Sequence, residues 1–239
     1  MRGARAIINH IVKGHGEECL IFLHGWGGNK ESLSGIYSAF LNDYRIIAVD
    51  FYGFGETPEA DSPLTLNDYI DSVVEIIEIY GLNKVYLIGH SFGGKVAMGL
   101  TLKRADLVNG LVLISASGMR PRRKVTYYIK VLKHKLNKKF GIGKPQEGSP
   151  DYKKLSAVGK KTFVNIVNTH LDKKISKINA RVLAIWGAKD KETPLYMARR
   201  IEKKIKKSRL VIFRNAGHFC YLERTEITVN EIKEFLNGF

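Results

Sequence analysis

The chain has 239 residues, 44% of them hydrophobic and 26% charged, with 39 Lys or Arg against 23 Asp or Glu and a formal net charge of +16. That length can bury a substantial core in one α/β domain, and the ordinary composition excludes wholesale disorder. The two cysteines, Cys19 and Cys220, form neither a disulfide framework nor a metal-ligand spacing, and no apolar run is long enough to span a membrane.

In chain order, the first segment, Met1 to His10, carries charge but lacks the apolar run of a signal peptide, so a cytoplasmic location is expected. Cys19–His24 and Tyr44–Asp50 then read as buried strands. Leu66–Tyr80 places Tyr69, Ile70, Val73, Ile76, Ile77 and Tyr80 at spacings of three and four, a helix that Gly81 stops. Val85–Gly89, Leu111–Ser115, Val182–Trp186 and Leu210–Phe213 are further strands. Near-continuous Val, Ile and Leu in such runs suits a parallel sheet covered on both faces. Strand–helix alternation predicts a doubly wound α/β fold.

Alternation breaks between Gly118 and Ile178. Tyr128, Val131, Leu132, Leu136 and Phe140 mark one amphipathic helix there, and Leu155, Phe163, Ile166, Val167 and Leu171 suggest more helix, with a Gly/Pro/Ser-rich loop at Gly141–Pro150 between them. A helical lid at 118–178 therefore divides the core into 1–117 and 179–239. A helical subdomain without catalytic role is the alternative.

Gly89-His90-Ser91-Phe92-Gly93 matches G-x-S-x-G, with an apolar strand before it and a helix from Lys95 to Leu102 after it. Glycines at 89, 93 and 94 permit the sharp turn that lifts a serine hydroxyl above a sheet. An ordinary turn with a capping serine is the competing reading. Serine is a poor nucleophile near pH 7 and needs a base. His218, just past the last strand in Arg214-Asn-Ala-Gly-His218, is the best placed of seven histidines. Asp190, after strand Val182–Trp186, is the candidate to orient it, with Glu192 the runner-up. The glycine-dense turn His24-Gly25-Trp26-Gly27-Gly28 follows the first strong strand, and the N–H groups of Trp26 and Phe92 are candidate oxyanion donors. His24, Gly25 and Tyr128 are candidates for substrate contact. Neither a phosphate-binding loop nor G-x-G-x-x-G occurs, and no cofactor and no metal are expected.

Five motifs in register make the chain resemble the α/β-hydrolase superfamily over nearly its full length. They are the H-G-x-G turn at 24–27, Asp50-Phe-Tyr-Gly-Phe-Gly55, the elbow at 89–93, Trp186-Gly-Ala-Lys-Asp190 and Gly217-His218. The order 91, 190, 218 matches the family's nucleophile–acid–base order. The resemblance is to small lidded carboxylesterases and carbon–carbon bond hydrolases, including the pimeloyl-carrier-protein methyl ester esterase type. It implies the α/β-hydrolase fold and an acyl-enzyme mechanism on Ser91, Asp190 and His218. Serine at 91 argues against the epoxide hydrolase and haloalkane dehalogenase branches, which place aspartate there. Arg181 and Thr225 stand where the family often has proline.

Residues 118–178 hold 17 Lys or Arg and 3 Asp or Glu, so this segment carries +14 of the net charge. A positive rim would attract anionic or carrier-protein-linked acyl substrates, whereas a solvated lysine-rich face needs no partner. The leading expectation is a hydrolase of small-molecule esters or related acyl bonds. Carbon–carbon hydrolysis, thioester hydrolysis and a binding protein using a hydrolase pocket are the alternatives. No nucleic-acid module is present to make the charge a nucleic-acid footprint.

Overall fold

The computed structural model describes residues 7–122 and 150–238. The amphipathic stretch containing Tyr128 and the basic residues Arg123 and Lys124 lie outside them.

Seven strands form one sheet: β1 (His10–Lys13), β2 (Cys19–Leu23), β3 (Arg45–Val49), β4 (Val85–His90), β5 (Val108–Ile114), β6 (Arg181–Gly187) and β7 (Ser208–Phe213). Their spatial order is β1-β3-β2-β4-β5-β6-β7. Only β1 is antiparallel, with His10 opposite Val49; β2 through β7 pair in parallel. The apolar-run reading finds the six parallel strands and misses β1. That strand is four residues long and partly solvated at the sheet edge, so it has no apolar run to detect.

The helices are α1 (Ser34–Tyr37), α2 (Leu66–Ile79), α3 (Phe92–Lys103), α4 (Pro150–Lys154), α5 (Ala157–Asn168), α6 (Tyr196–Lys204), α7 (Cys220–Glu223) and α8 (Thr225–Leu236). Alternation along each strand splits the core into two layers. Ile21, Ile47, Leu87, Leu113 and Ala184 face the side packed by α2, α3 and α6. Leu20, Phe22, Ile46, Ile88 and Ile185 face the side packed by α1 and α8. Burial on both faces is why these strands read as continuous apolar runs. At its start α2 has a capping box, in which the Thr65 N–H donates to the Asp68 carboxylate at 2.7 Å.

The segment between β5 and β6 returns to the core through specific contacts. The Leu171 N–H donates to the Gly118 carbonyl, and the Arg120 N–H to the Asp172 carboxylate, which also pairs with Arg200 of α6. Helix α5 docks beside the loop that precedes α2, where the Leu64 N–H donates to Thr162 Oγ1 at 2.9 Å and the Asn165 side-chain amide donates to the Leu64 carbonyl at 3.0 Å. Among the described residues no helix is long and apolar enough to cross a membrane.

The tightest point lies between β4 and α3. Ser91 adopts φ 49° and ψ −107°, a conformation rare for a residue with a side chain and costing on the order of 1–3 kcal/mol. A Cβ on Gly93 would collide with the Leu23 carbonyl at the end of β2. We predict that Gly93→Ala destabilises the fold by at least about 1–3 kcal/mol, the range for overpacking a filled site. A denaturant midpoint unchanged from the parent would show that the close approach is not required.

Candidate functional site

Three loops meet at the carboxyl edge of the parallel strands. Ser91 follows β4, Asp190 lies three residues past β6, and His218 lies five past β7. Edges of this kind are where ligands bind in open α/β sheets.

His218 and Asp190 are both buried, at 8% and 5% exposure, and His218 Nδ1 lies 2.9 Å from Asp190 Oδ2. The other carboxylate oxygen accepts the N–H groups of Glu192 and Thr193, each at 2.9 Å. The Thr193 hydroxyl sits 2.8 Å from Asp190 Oδ2 and 3.0 Å from the Ser115 carbonyl, while Trp186 Nε1 donates to the Thr193 carbonyl. Burial alone would raise the Asp190 pKa, but the His218 and Thr193 hydrogen bonds outweigh it and hold the carboxyl below its ordinary value. Asp190 is thus an ionised, fully partnered group on Nδ1. Glu192 reaches the other imidazole nitrogen instead: its carboxylate is 3.4 Å from His218 Nε2 and largely exposed. Asp190 and Glu192 thus approach different nitrogens of one imidazole.

Ser91 and His218 line one cavity of about 650 Å³, together with Gly25, His90 and Phe219. Among the described residues the Ser91 hydroxyl has no hydrogen-bond partner. Ser91 also lines a second cavity of about 240 Å³, reaching Phe92, Met119, Ile166 and Met197.

The glycine turn after β2 is held from beneath. His24 is buried, its Nε2 accepts the Phe51 N–H at 3.1 Å, and its Nδ1 is 2.7 Å from the Gly25 carbonyl. Burial takes its pKa down to about 4, so the ring is neutral and its tautomer is fixed by these two contacts. Neither cavity is lined by His24, whereas Gly25 and Trp26 reach the larger one. The N–H groups of Trp26 and Phe92 have no partner among the described residues, and Phe92 opens α3, where the first donors lack intrahelical acceptors. The Trp26 ring meets Phe54, Phe92 and Phe163 edge to face at 5.0–5.4 Å, joining the turn to the elbow and to α5.

Two supports were not legible from spacing. His90 Nε2 contacts the His218 backbone carbonyl at 3.1 Å, and its ring packs 4.9 Å from that of His218. Asp50 is fully buried and accepts from Lys30 N at 2.6 Å, Lys30 Nζ at 3.0 Å and Glu56 N at 2.9 Å, tying the turn at 24–28 to the loop at 50–56.

The family model described as alpha/beta hydrolase fold matches residues 18–141 and 133–225. The chain is 28% identical to the AB hydrolase superfamily protein YisY of Bacillus subtilis, covering 94% of this chain and 93% of that protein. It is 25% identical to the 2-hydroxy-6-oxo-6-(2'-aminophenyl)hexa-2,4-dienoic acid hydrolase of Metapseudomonas resinovorans, over 95% and 87%. Its structure resembles that of an esterase from Exiguobacterium antarcticum with a TM-score of 0.78 at 23% identity, covering 97% and 96%.

Burial would raise the Asp50 pKa, but hydrogen bonds from Glu56, then Lys30, hold it below the ordinary 3.8. The stability this contributes is present above the unfolded-state value and is lost as pH falls through the lower folded value. We predict that Asp50→Asn costs about 3 kcal/mol at pH 7, as for other broken buried pairs, and that the deficit shrinks below about pH 4. A deficit independent of pH in denaturation curves would contradict the charge as its source.

Proposed function

Because the chain belongs to the α/β-hydrolase family, we propose that it is a serine hydrolase cleaving a carboxylic ester or related acyl bond through an acyl-enzyme. The observation that carries this reading is the buried Asp190–His218 hydrogen bond beside the strained Ser91, with Ser91 and His218 on the wall of one cavity.

In this reading His218 Nε2 takes the Ser91 hydroxyl proton as Oγ attacks the substrate carbonyl carbon. The C–O bond to serine forms, and the carbonyl π electrons move to oxygen. The Trp26 and Phe92 N–H groups receive that oxyanion. Collapse expels the alcohol, which takes the proton from His218, and leaves Ser91 acylated. Water then repeats the sequence: His218 takes its proton, the acid leaves, and Ser91 regains its hydrogen. Asp190 fixes the tautomer with Nδ1–H and stabilises the imidazolium without itself taking a proton. Phe92 also anchors the elbow by packing on Phe51 and Tyr69 at 5.2 and 4.9 Å.

We assign residues 118–178 as a lid between the core segments 1–117 and 179–239. Contacts from α5 to Trp26 and Leu64 support it, and Gly25 is a substrate-contact candidate that lines the cavity. The +14 on this segment supports an anionic or carrier-linked acyl substrate, and two buried free thiols support a cytoplasmic site. A 2-hydroxy-6-oxo-dienoic acid is the second substrate class, since the Metapseudomonas relative is a hydrolase of one.

Ser91→Ala is expected to lower kcat by on the order of 10⁶, as in subtilisin. Asp190→Asn should cost about 10⁴ by the precedent of serine proteases, and Glu192→Gln far less. Retained ester hydrolysis in Ser91→Ala, or equal losses at 190 and 192, would overturn the assignment.

A further inference from the structure

Lys95 stands four residues after Ser91, one turn along α3. Its side chain is only 3% exposed and lines the cavity of about 240 Å³ that also reaches Ser91. The surrounding helix segment, Val96 to Leu100, is wholly buried, so the lysine has been carried inside with the helix. Its Nζ donates to the Ile166 carbonyl in the last turn of α5 at 2.7 Å. An ammonium has three donors, and this contact uses one. Among the described residues no carboxylate pairs with it. Glu192, the carboxylate on the same cavity wall, is tied to the His218 end.

A buried cation without a counter-ion is costly, and desolvation, with no opposing charge to offset it, takes the Lys95 pKa down to about 8. The group still carries its proton at pH 7. Capping the C-terminus of α5 does not require this burial, because lysines that cap helices ordinarily keep their charged ends in water. The cavity is otherwise walled largely by apolar groups such as Phe92, Met119, Ile166 and Met197. It therefore suits a methylene chain that ends at a cation.

We propose that Lys95 anchors the far end of the acyl group and selects esters whose acyl chain terminates in a carboxylate, that is, monoesters of dicarboxylic acids. The inference rests on Ser91 attacking the ester carbonyl from the shared wall of the two cavities. It locates anionic selectivity in a buried side chain near the nucleophile, separate from the net charge carried by residues 118–178. The two sources differ in their response to salt. Exposed charges are screened within about 3 Å at 1 M salt, and a buried pair is screened much less.

The test compares 4-nitrophenyl monoesters of linear dicarboxylic acids, six to nine carbons long, with 4-nitrophenyl alkanoates of the same length. For at least one length, kcat/KM should favour the acid-bearing ester about tenfold or more, the scale of a hydrogen bond to a charged group, and the preference should survive 1 M salt. Lys95→Met should reduce the ratio of the two kcat/KM values about tenfold. Absence of a preference, its loss in salt, or a ratio unchanged in Lys95→Met would each overturn the proposal. Equal losses for both ester classes with a lowered melting temperature would leave Lys95 as a helix cap only, and also overturn it. If Lys95→Met does not fold, the salt series on the parent chain decides. The nucleophile reading is checked separately, by loss of neutral-ester hydrolysis in Ser91→Ala. Binding of monomethyl pimelate to Ser91→Ala, followed by calorimetry, reads the anchor without chemistry. It should exceed the binding of methyl heptanoate about tenfold, and equal binding would refute the anchor even where Ser91 proves catalytic.

Discussion

The carboxyl edge of the sheet depends on one steric constraint, the approach of the first turn of α3 to the ends of β2 and β5. A Cβ on Gly93 would strike the Leu23 carbonyl, and one on Gly94 would strike Ala116. Only with hydrogen at both positions can the chain leave β4, turn through Ser91 at φ 49° and enter a helix at once. The same turn orients Ser91 toward two cavities and sends Lys95 inward one turn later. Strain at Ser91 is retained because the strand before it and the helix after it are both fully packed, so relaxing it would disrupt a core.

Around that point buried polar groups come in completed sets. Asp190 has four close contacts from three residues, Asp50 has three donors, and His24 uses both ring nitrogens. Each set ties one edge loop to a strand end or to another loop, which gives side chains on loops the rigidity of the sheet. Lys95 differs in kind. Among the described residues it has one protein acceptor, with a cavity beside it, the arrangement expected where a ligand completes the set.

Much of this is legible in the sequence because the relevant signals are local. Parallel strands buried on both faces appear as apolar runs, and a residue just past such a run lies at the sheet edge, as Ser91, Asp190 and His218 do. Strand β1 escaped because pairing at an edge needs no apolar run. The contacts of His90 and Lys95 are not legible because their partners are distant in the chain, 128 residues away for His90 and His218 and 71 for Lys95 and Ile166. Lys95 did leave one trace: it is the only charge in the apolar stretch from Phe92 to Leu102, which a helix buried all round would produce. His24 shows the opposite lesson. Its place in a glycine turn suggested substrate contact, but hydrogen bonds to Phe51 and Gly25 direct its ring into the interior.

In the proposed mechanism Ser91 carries the acyl group during turnover. Rapid mixing with a chromogenic ester, followed by acid quench and mass analysis of peptides, tests it most directly. A burst approaching one leaving group per chain is expected wherever deacylation is slow, with the acyl mass on the peptide containing Ser91. Acyl mass on a different residue, in a chain that turns the ester over, would contradict it.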